Sequence, residues 1–332
     1  MRKPLIITVL LLGAIATVLI APLVGMEFIG PSALLGHGDD PVKLDILWKI
    51  RIPRVALAVL AGVGLAASGM TFQAMFRNPL AEPFTLGVSS GASLGAALCI
   101  LMGWDFSFWL FRGVTVFAFG GTLLAIFLVY GLTRLRAGFS VATMLLAGVA
   151  VSFFFSSLIL VLQYFSDFLQ TFRMLRWVMG GLDAVVGYRE VFGVVPFVLG
   201  GCLIVYALAH ELNLLTTGEE LATSRGMAVQ STKALLFLVT SLMVGAIVAA
   251  CGPIGFVGLM VPHICRLLIG PDHRWLAPAT LLFGGIFLAW CDTLARTMLA
   301  PTELPVGIIT SLLGGPFFLW LLVVRPPEFD GE

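Results

Sequence analysis

Hydrophobic and polar positions fall into long blocks along this chain. Nine runs carry no Asp, Glu, Lys or Arg: residues 4–26, 55–76, 83–104, 113–133, 137–166, 191–209, 234–262, 275–291 and 304–324. A bilayer-crossing helix needs roughly 20 mostly apolar residues, so each run predicts a span. The run 234–262 is too long for one comfortable span, and Gly252, Pro253, Gly255 and Gly258 interrupt it. It divides into helices at about 233–251 and 254–269, which brings the expected total to ten spans and puts both termini on one side. The alternation of a membrane barrel is absent. The expected fold is all-α and polytopic, with residues 1–332 as a single transmembrane domain.

Composition agrees. Hydrophobic residues make up 59% and charged residues 11%, where soluble domains carry about 25% charged. The first run follows Arg2 and Lys3 as a signal peptide would, but its apolar part is too long and no cleavage site follows, so it reads as a retained helix. Five cysteines lie in or beside apolar runs without a C-x-x-C pair, which supports neither a metal site nor a disulfide framework. The net charge of +1 points to no nucleic-acid partner.

Local signals refine the plan. The helix at about 54–76 is rich in small residues (Ala61, Gly62, Gly64, Ala66, Ala67, Ser68, Gly69) and is expected at the centre of the bundle. Pro79 and Pro83 forbid a continuous helix after it. Residues 87–93 read as a weakly helical opening that lines a pathway, or else as a packing helix with a glycine contact at Gly91 and Gly95. Residues 168–180 predict a short amphipathic helix capping the bundle, and His263 reads as a packing histidine. Residues 211–233 form a polar island between two apolar runs, predicting two short helices folded together. Asn213, Thr216 and Thr217 stand there as possible caps, with Gly218 and Gly226 as turns.

Several motifs recur in a particular order: Arg51-x-Pro53-Arg54, Asn78-Pro79-Leu80-Ala81-x-Pro83, Leu146-Ala147-Gly148 and Trp177-x-Met179-Gly180-Gly181. Then follow Gly218-Glu219-Glu220-x-Ala222-x-x-x-Gly226, residues 252–263, Asp292-x-x-x-Arg296 and residues 303–307. Together they resemble the permease family of binding-protein-dependent type II ABC importers for iron-siderophores, haem and cobalamin, over essentially the whole chain. The resemblance implies a homodimer of permeases, two cytoplasmic ATP-binding subunits and a periplasmic binding protein, set in the bacterial inner membrane with cytoplasmic termini. ATP and Mg would belong to the partner subunits. This chain has no G-x-x-x-x-G-K-[ST] loop, so it is expected to be neither an ATPase nor any other enzyme and to bind no cofactor or metal.

By the same resemblance, Gly218, Glu219, Glu220, Ala222 and Gly226 correspond to coupling helices that dock on the ATPase. Arg51, Arg54 and Arg296 match arginines offered to carboxylates of the binding protein. Asn78, Leu80, Ser140, Thr143 and Met144 match positions at the pathway and its cytoplasmic gate, while Arg176 and Trp177 would face incoming ligand. The expected cargo is an iron chelate, ferric siderophore or haem, with cobalamin as the alternative. A secondary transporter driven by an ion gradient is the rival of another class. It would need acidic groups within the membrane, and Asp292, near a helix end, is its one candidate. Charge alone says little of orientation: ten of the 19 Lys and Arg fall on the side of the termini.

Overall fold

The computed structural model describes residues 2–36, 40–104, 106–108, 111–135, 141–183, 185 and 187–324. Its helices are α1 (Arg2–Ile20), α2 (Pro41–Ile46), α3 (Ile52–Phe76), α4 (Val88–Leu101), α5 (Gly113–Leu135), α6 (Val141–Phe165) and α7 (Phe168–Val178). They continue with α8 (Arg189–Ala207), α9 (Ala209–Thr216), α10 (Glu219–Ser224), α11 (Val229–Cys251), α12 (Val257–Ile269), α13 (His273–Thr297) and α14 (Val306–Val324). Among the described residues seven helical stretches are long and apolar enough to cross a membrane, and α4, α12 and α14 supply three shorter apolar helices. This is the ten-span plan expected from the runs. Two two-residue strands, β1 (Ser107–Phe108) and β2 (Phe111–Arg112), pair antiparallel before α5.

The small-residue helix is central, as its composition predicts. Nearly every residue of α3 from Pro53 to Phe76 is buried, and it packs on α8, α11, α12 and α13. Glycine makes this possible. A Cβ at Gly62 would collide with the Gly284 carbonyl of α13, and one at Gly69 with the Gly258 carbonyl of α12. Without a hydrophobic drive between helices in lipid, such backbone approach maximises dispersion contact. Gly91 and Gly95 of α4 meet the backbone of Gly121 and Phe117 in α5 in the same way. The packing alternative for that segment therefore holds: residues from Val88 on are continuous helix, and only a 3₁₀ turn (Pro83–Leu86) and left-handed Gly87 precede it.

Two further features have local causes. Arg51-x-Pro53-Arg54 does not precede the second spanning helix but lies in it, because α2 runs through a π-helical segment (Leu47–Arg51) straight into α3. Pro53 lies inside this continuous helix and cannot donate to the carbonyl four residues back; that carbonyl, of Lys49, accepts the Gly187 N–H at 2.7 Å instead. Asp40 caps α2 by accepting the Val42 N–H at 2.9 Å, with Pro41 at the first helical position. The amphipathic α7 forms as expected and carries a full capping box, Asp167 and Gln170 each bonding the other's backbone N–H.

The island and the start of α1 share one end of the bundle, toward which α14 runs. α3 finishes there, with Arg77 beside Gly218, and α1 starts there, with Lys3 near Asp272. α14 begins at the other end, where the Gly307 N–H donates to the Gly180 carbonyl at 3.1 Å, and runs back past α12, Phe317 packing on His263.

Glycine contacts of this kind are intolerant of a methyl group. Gly62→Ala and Gly69→Ala are expected to lower the melting midpoint in detergent, by a cost of about 1–3 kcal/mol each. Gly131→Ala, with open space around its Cβ position, is expected to leave the midpoint unchanged. A thermal melt of the three variants checks this.

Candidate functional site

The island folds as two short helices, α9 and α10, packed on each other and on α3, α11 and α13. Gly218 sits at φ +113° and Gly226 at φ +83°, conformations that disfavour any side chain, so both turns need glycine. Ala222 is fully buried, and Glu219 and Glu220 occupy the first turn of α10, where acidic groups suit the helix dipole. Glu219 also holds the island to its neighbour, since its carboxylate receives the ammonium of Lys233, which is 1% exposed. Glu220 is exposed and forms no ion pair with the described residues. The expected caps are corrected. α9 starts at Ala209, directly after α8, so Asn213 is interior to it, and the Thr216 and Thr217 hydroxyls bond back to carbonyls three residues earlier. The Asn213 side chain instead reaches Asp272 and His273.

At the opposite end stands a cluster of four charges. The Arg54 guanidinium donates from Nε and Nη2 to Asp292 Oδ1 at 3.0 and 2.9 Å, and from Nη1 to Glu303 at 2.6 Å. Arg296 Nε lies 3.2 Å from Asp292 Oδ2, near enough for charge but not aligned for a hydrogen bond, while its Nη2 donates to the Ala21 carbonyl at 3.2 Å. Arg54, Asp292 and Arg296 are 4%, 0% and 5% exposed. Of the three arginines matched to binding-protein docking, Arg54 and Arg296 are thus buried, with Asp292 between them and paired to both. Arg51 is half-buried and donates to the carbonyls of Pro22, Leu23 and Glu27. Asp292, expected as an ion-coupling candidate, is committed to these arginines.

Between the two ends, the connection after α3 meets the broken start of α12. The Gln73 amide donates to the carbonyls of Gly258 and Leu259, both at 3.3 Å, and its oxygen accepts from Arg266 at 2.9 Å. Phe256, the residue before α12, holds a left-handed φ of +69°. Its N–H donates to Glu82, a carboxyl that burial pushes up to about 7 against the effect of that hydrogen bond. Glu82 carries no signal in the sequence, because it interrupts no apolar run of spanning length. Nearby, Asn78 accepts the Leu80 N–H at 2.9 Å in an exposed turn, Thr143 is half-buried and Met144 fully buried. Ser140 lies outside the described residues.

Arg176 and Trp177 line a cavity of about 510 Å³ at the end opposite the island, together with Trp104, Arg112, Arg173 and Glu190. Arg176 donates to Asp183 at 2.7 Å, and Arg112 lies 3.7 Å from Glu190. The arginine guanidinium suits planar anionic groups. Among the described residues no group of three or more His, Cys, Asp or Glu could hold a metal ion.

A ten-span helical bundle with a compact pair of short helices at one end and a charged, arginine-rich face at the other has the build of a transport subunit. Comparison makes the class specific. The FecCD transport family model matches residues 8–324, and the chain belongs to that family of ABC importer permeases. It is 42% identical to the hemin transport system permease HmuU of Yersinia pestis over 292 residues, 86% of this chain and 87% of that one. It is 43% identical to the cobalamin import system permease BtuC of Halobacterium salinarum over 295 residues, 88% of this chain and 77% of that one. A solved structure of a candidate metal-chelate type ABC transporter, in an inward-facing conformation, superposes with a TM-score of 0.86 at 31% identity, covering 97% of this chain and 99% of that one.

Removing one partner from a buried pair costs about 3–5 kcal/mol, and an exposed pair about 1 kcal/mol or less. Asp292→Asn is therefore expected to lower the melting midpoint far more than Glu303→Gln, and equal shifts would contradict the burial argument. Glu82 yields a prediction in pH. Its folded value lies above its ordinary 4.5, so its contribution to stability is complete below that value and is lost as pH rises through about 7. Glu82→Gln escapes that loss. Its midpoint relative to the unaltered protein should rise between pH 5 and pH 8, and parallel pH profiles would refute this.

Proposed function

We propose that this chain is the permease of an importer that carries an iron chelate, a ferric siderophore or haem, from periplasm to cytoplasm. ATP hydrolysis on two separate subunits drives it. The observation that carries the reading is the island: two short helices, turned by Gly218 and Gly226, latched to α11 through Glu219 and Lys233 and projecting Glu220. A passive channel has no need of such a lever. Of the acids that an ion-gradient transporter would need free to exchange its ion, Asp292 is held by two arginines and Glu82 is engaged by the Phe256 N–H.

The other roles follow. The island docks in a groove of each ATPase subunit and marks the cytoplasmic end, so both termini are cytoplasmic. The opposite end receives the binding protein. There Glu303, 39% exposed and sharing Arg54, is the group that an incoming carboxylate displaces, and Arg51 and Arg296 complete the platform. Two copies of the chain enclose the pathway. The uncovered apolar face of α6, with Leu146, Phe153 and Leu160 all exposed, suits a second copy or lipid. Asn78, Leu80, Ser140, Thr143 and Met144 are assigned to the gate. The arginine-lined cavity beside Arg176 and Trp177 favours cargo with carboxylate groups.

Similarity to a cobalamin permease at 43% identity supports cobalamin as the second reading. Uptake into proteoliposomes containing the permease, its ATPase and its binding protein tests both, with haemin, ferrichrome and cyanocobalamin compared. ATP-dependent uptake of an iron chelate, lost without the binding protein, is expected. Uptake driven by a proton or sodium gradient without ATP would overturn the proposal. Glu219→Arg, which sets a second cation against Lys233, should reduce uptake at least tenfold in the same assay.

A further inference from the structure

Asn213 is the side chain of the island that grips the far-reaching helix α13, and its hydrogen bonds leave no freedom in how it is oriented. Its Nδ2 donates to Asp272 Oδ1 at 2.8 Å. Its Oδ1 accepts the His273 backbone N–H at 2.9 Å and lies 2.8 Å from His273 Nδ1, which must carry the proton, since an amide oxygen only accepts. His273 is 2% exposed. Asp272 is the α13 cap, accepting the Arg274 N–H at 3.1 Å, and donation from Asn213 is the leading cause that holds its carboxyl below the usual range. One amide thus satisfies both the cap and the first residue of α13. Arg274 adds a second tie to α9, its Nη2 standing 3.4 Å from His210 Nδ1.

What lies beyond this grip gives it meaning. α13 is 25 residues long, roughly 37 Å at 1.5 Å per residue, enough to cross the hydrocarbon core of a bilayer, about 30 Å. Midway it is locked backbone to backbone on α3 at Gly62 and Gly284. At its far end Asp292 and Arg296 join the Arg54 cluster. Packed helices locked in this way shift as units rather than bend.

We propose that Asn213 is the coupling pin of this transporter: it passes displacement of the island to α13, and through the α3–α13 pair to the charged face opposite. Asn213 is a positioning residue, touching neither cargo nor nucleotide. The proposal rests on the reading of the island as the ATPase-docking element. Transport through α10 and α11 alone would not need it.

The test uses the full complex in proteoliposomes and reads uptake per ATP hydrolysed, with whichever of haemin, ferrichrome or cyanocobalamin the unaltered protein takes up. Asn213→Asp sets a carboxylate against Asp272 and should cut the ratio at least tenfold while the ATPase subunits still co-purify. The swap Asn213→Asp with Asp272→Asn removes the like-charge pair and lets the new amide donate to the new carboxylate; since both existing bonds fall on the one Asp272 Oδ1, the Arg274 N–H loses that acceptor and only the tie between residues 213 and 272 is restored. It should return the ratio to within threefold of the unaltered protein, an effect that a loss of general stability would not produce. Where Asn213→Asp alone does not accumulate, the swap is compared with Asn213→Ala: recovery in the swap only supports the pin, and equal ratios overturn it. An unchanged ratio in Asn213→Asp also overturns it. Glu219→Arg separates the two readings. If it releases the ATPase subunits while Asn213→Asp stays coupled, the pin fails and the docking reading stands. If it leaves association, hydrolysis and uptake intact, the docking reading fails and the pin, which rests on it, falls with it.

Discussion

A charge buried away from water has to be neutralised where it stands, and the pairing of α3 with α13 follows from that requirement. Arg54 and Asp292 are separated by 238 positions in the chain yet meet in a three-bond ion pair at one end of the bundle. Their geometry tolerates no slippage, since a one-residue shift of either helix would leave two charges unpaired in a low-dielectric setting, at a cost of several kcal/mol each. The Gly62–Gly284 contact imposes the same register from within the helix pair. Two unrelated forces, electrostatic at the end and steric at the centre, select one arrangement.

The other parts are arranged on this pair. α12 begins against Gly69 of α3, and its irregular start is covered by protein. Gln73 takes two of its carbonyls and Glu82 takes the Phe256 N–H. Non-helical backbone at such depth survives only where its polar groups are satisfied. The strained Phe256 conformation is maintained for the same reason, its N–H already engaged. α9 closes the opposite end, bridging from α3 to the cap of α13. The permease therefore has the α3–α13 pair as its spine, with the two-helix island at one end and the charged cluster at the other.

How much of this is legible in the sequence depends on the range of the interaction. Spans, the split at Gly252-Pro253, the amphipathic α7 and the two turns of the island follow from local composition, because apolar length and glycine conformation act within a few residues. The central place of α3 is readable from its small side chains. Burial of Arg54 is not, since an arginine beside an apolar run looks like an interfacial or docking group until its partner Asp292 is placed next to it. Asn213 misleads for a related reason: as a cap-forming residue at the edge of a polar island it suggests a helix start, and only the tertiary approach of Asp272 gives it another partner. Glu82 offers no signal, because a single acid between two prolines reads as loop surface. The extension of α3 back through α2 is hidden by Pro53, which permits a helix to begin but here does not mark its beginning.

The FecCD family model spans nearly the full chain, and an importer of this kind has to keep its two ends in register while it works. A spine that stays rigid between island and platform does so. The most direct measurement is an electron-spin distance within one labelled protomer of the reconstituted complex, between probes at the exposed positions of Glu220 and Met298, with and without nucleotide. A rigid spine holds that distance constant to within about 2 Å, while probes at Glu220 of the two protomers change their separation. A change of more than about 5 Å within the protomer, one helical turn, would show that α13 does not act as a rigid link and would contradict this mechanism.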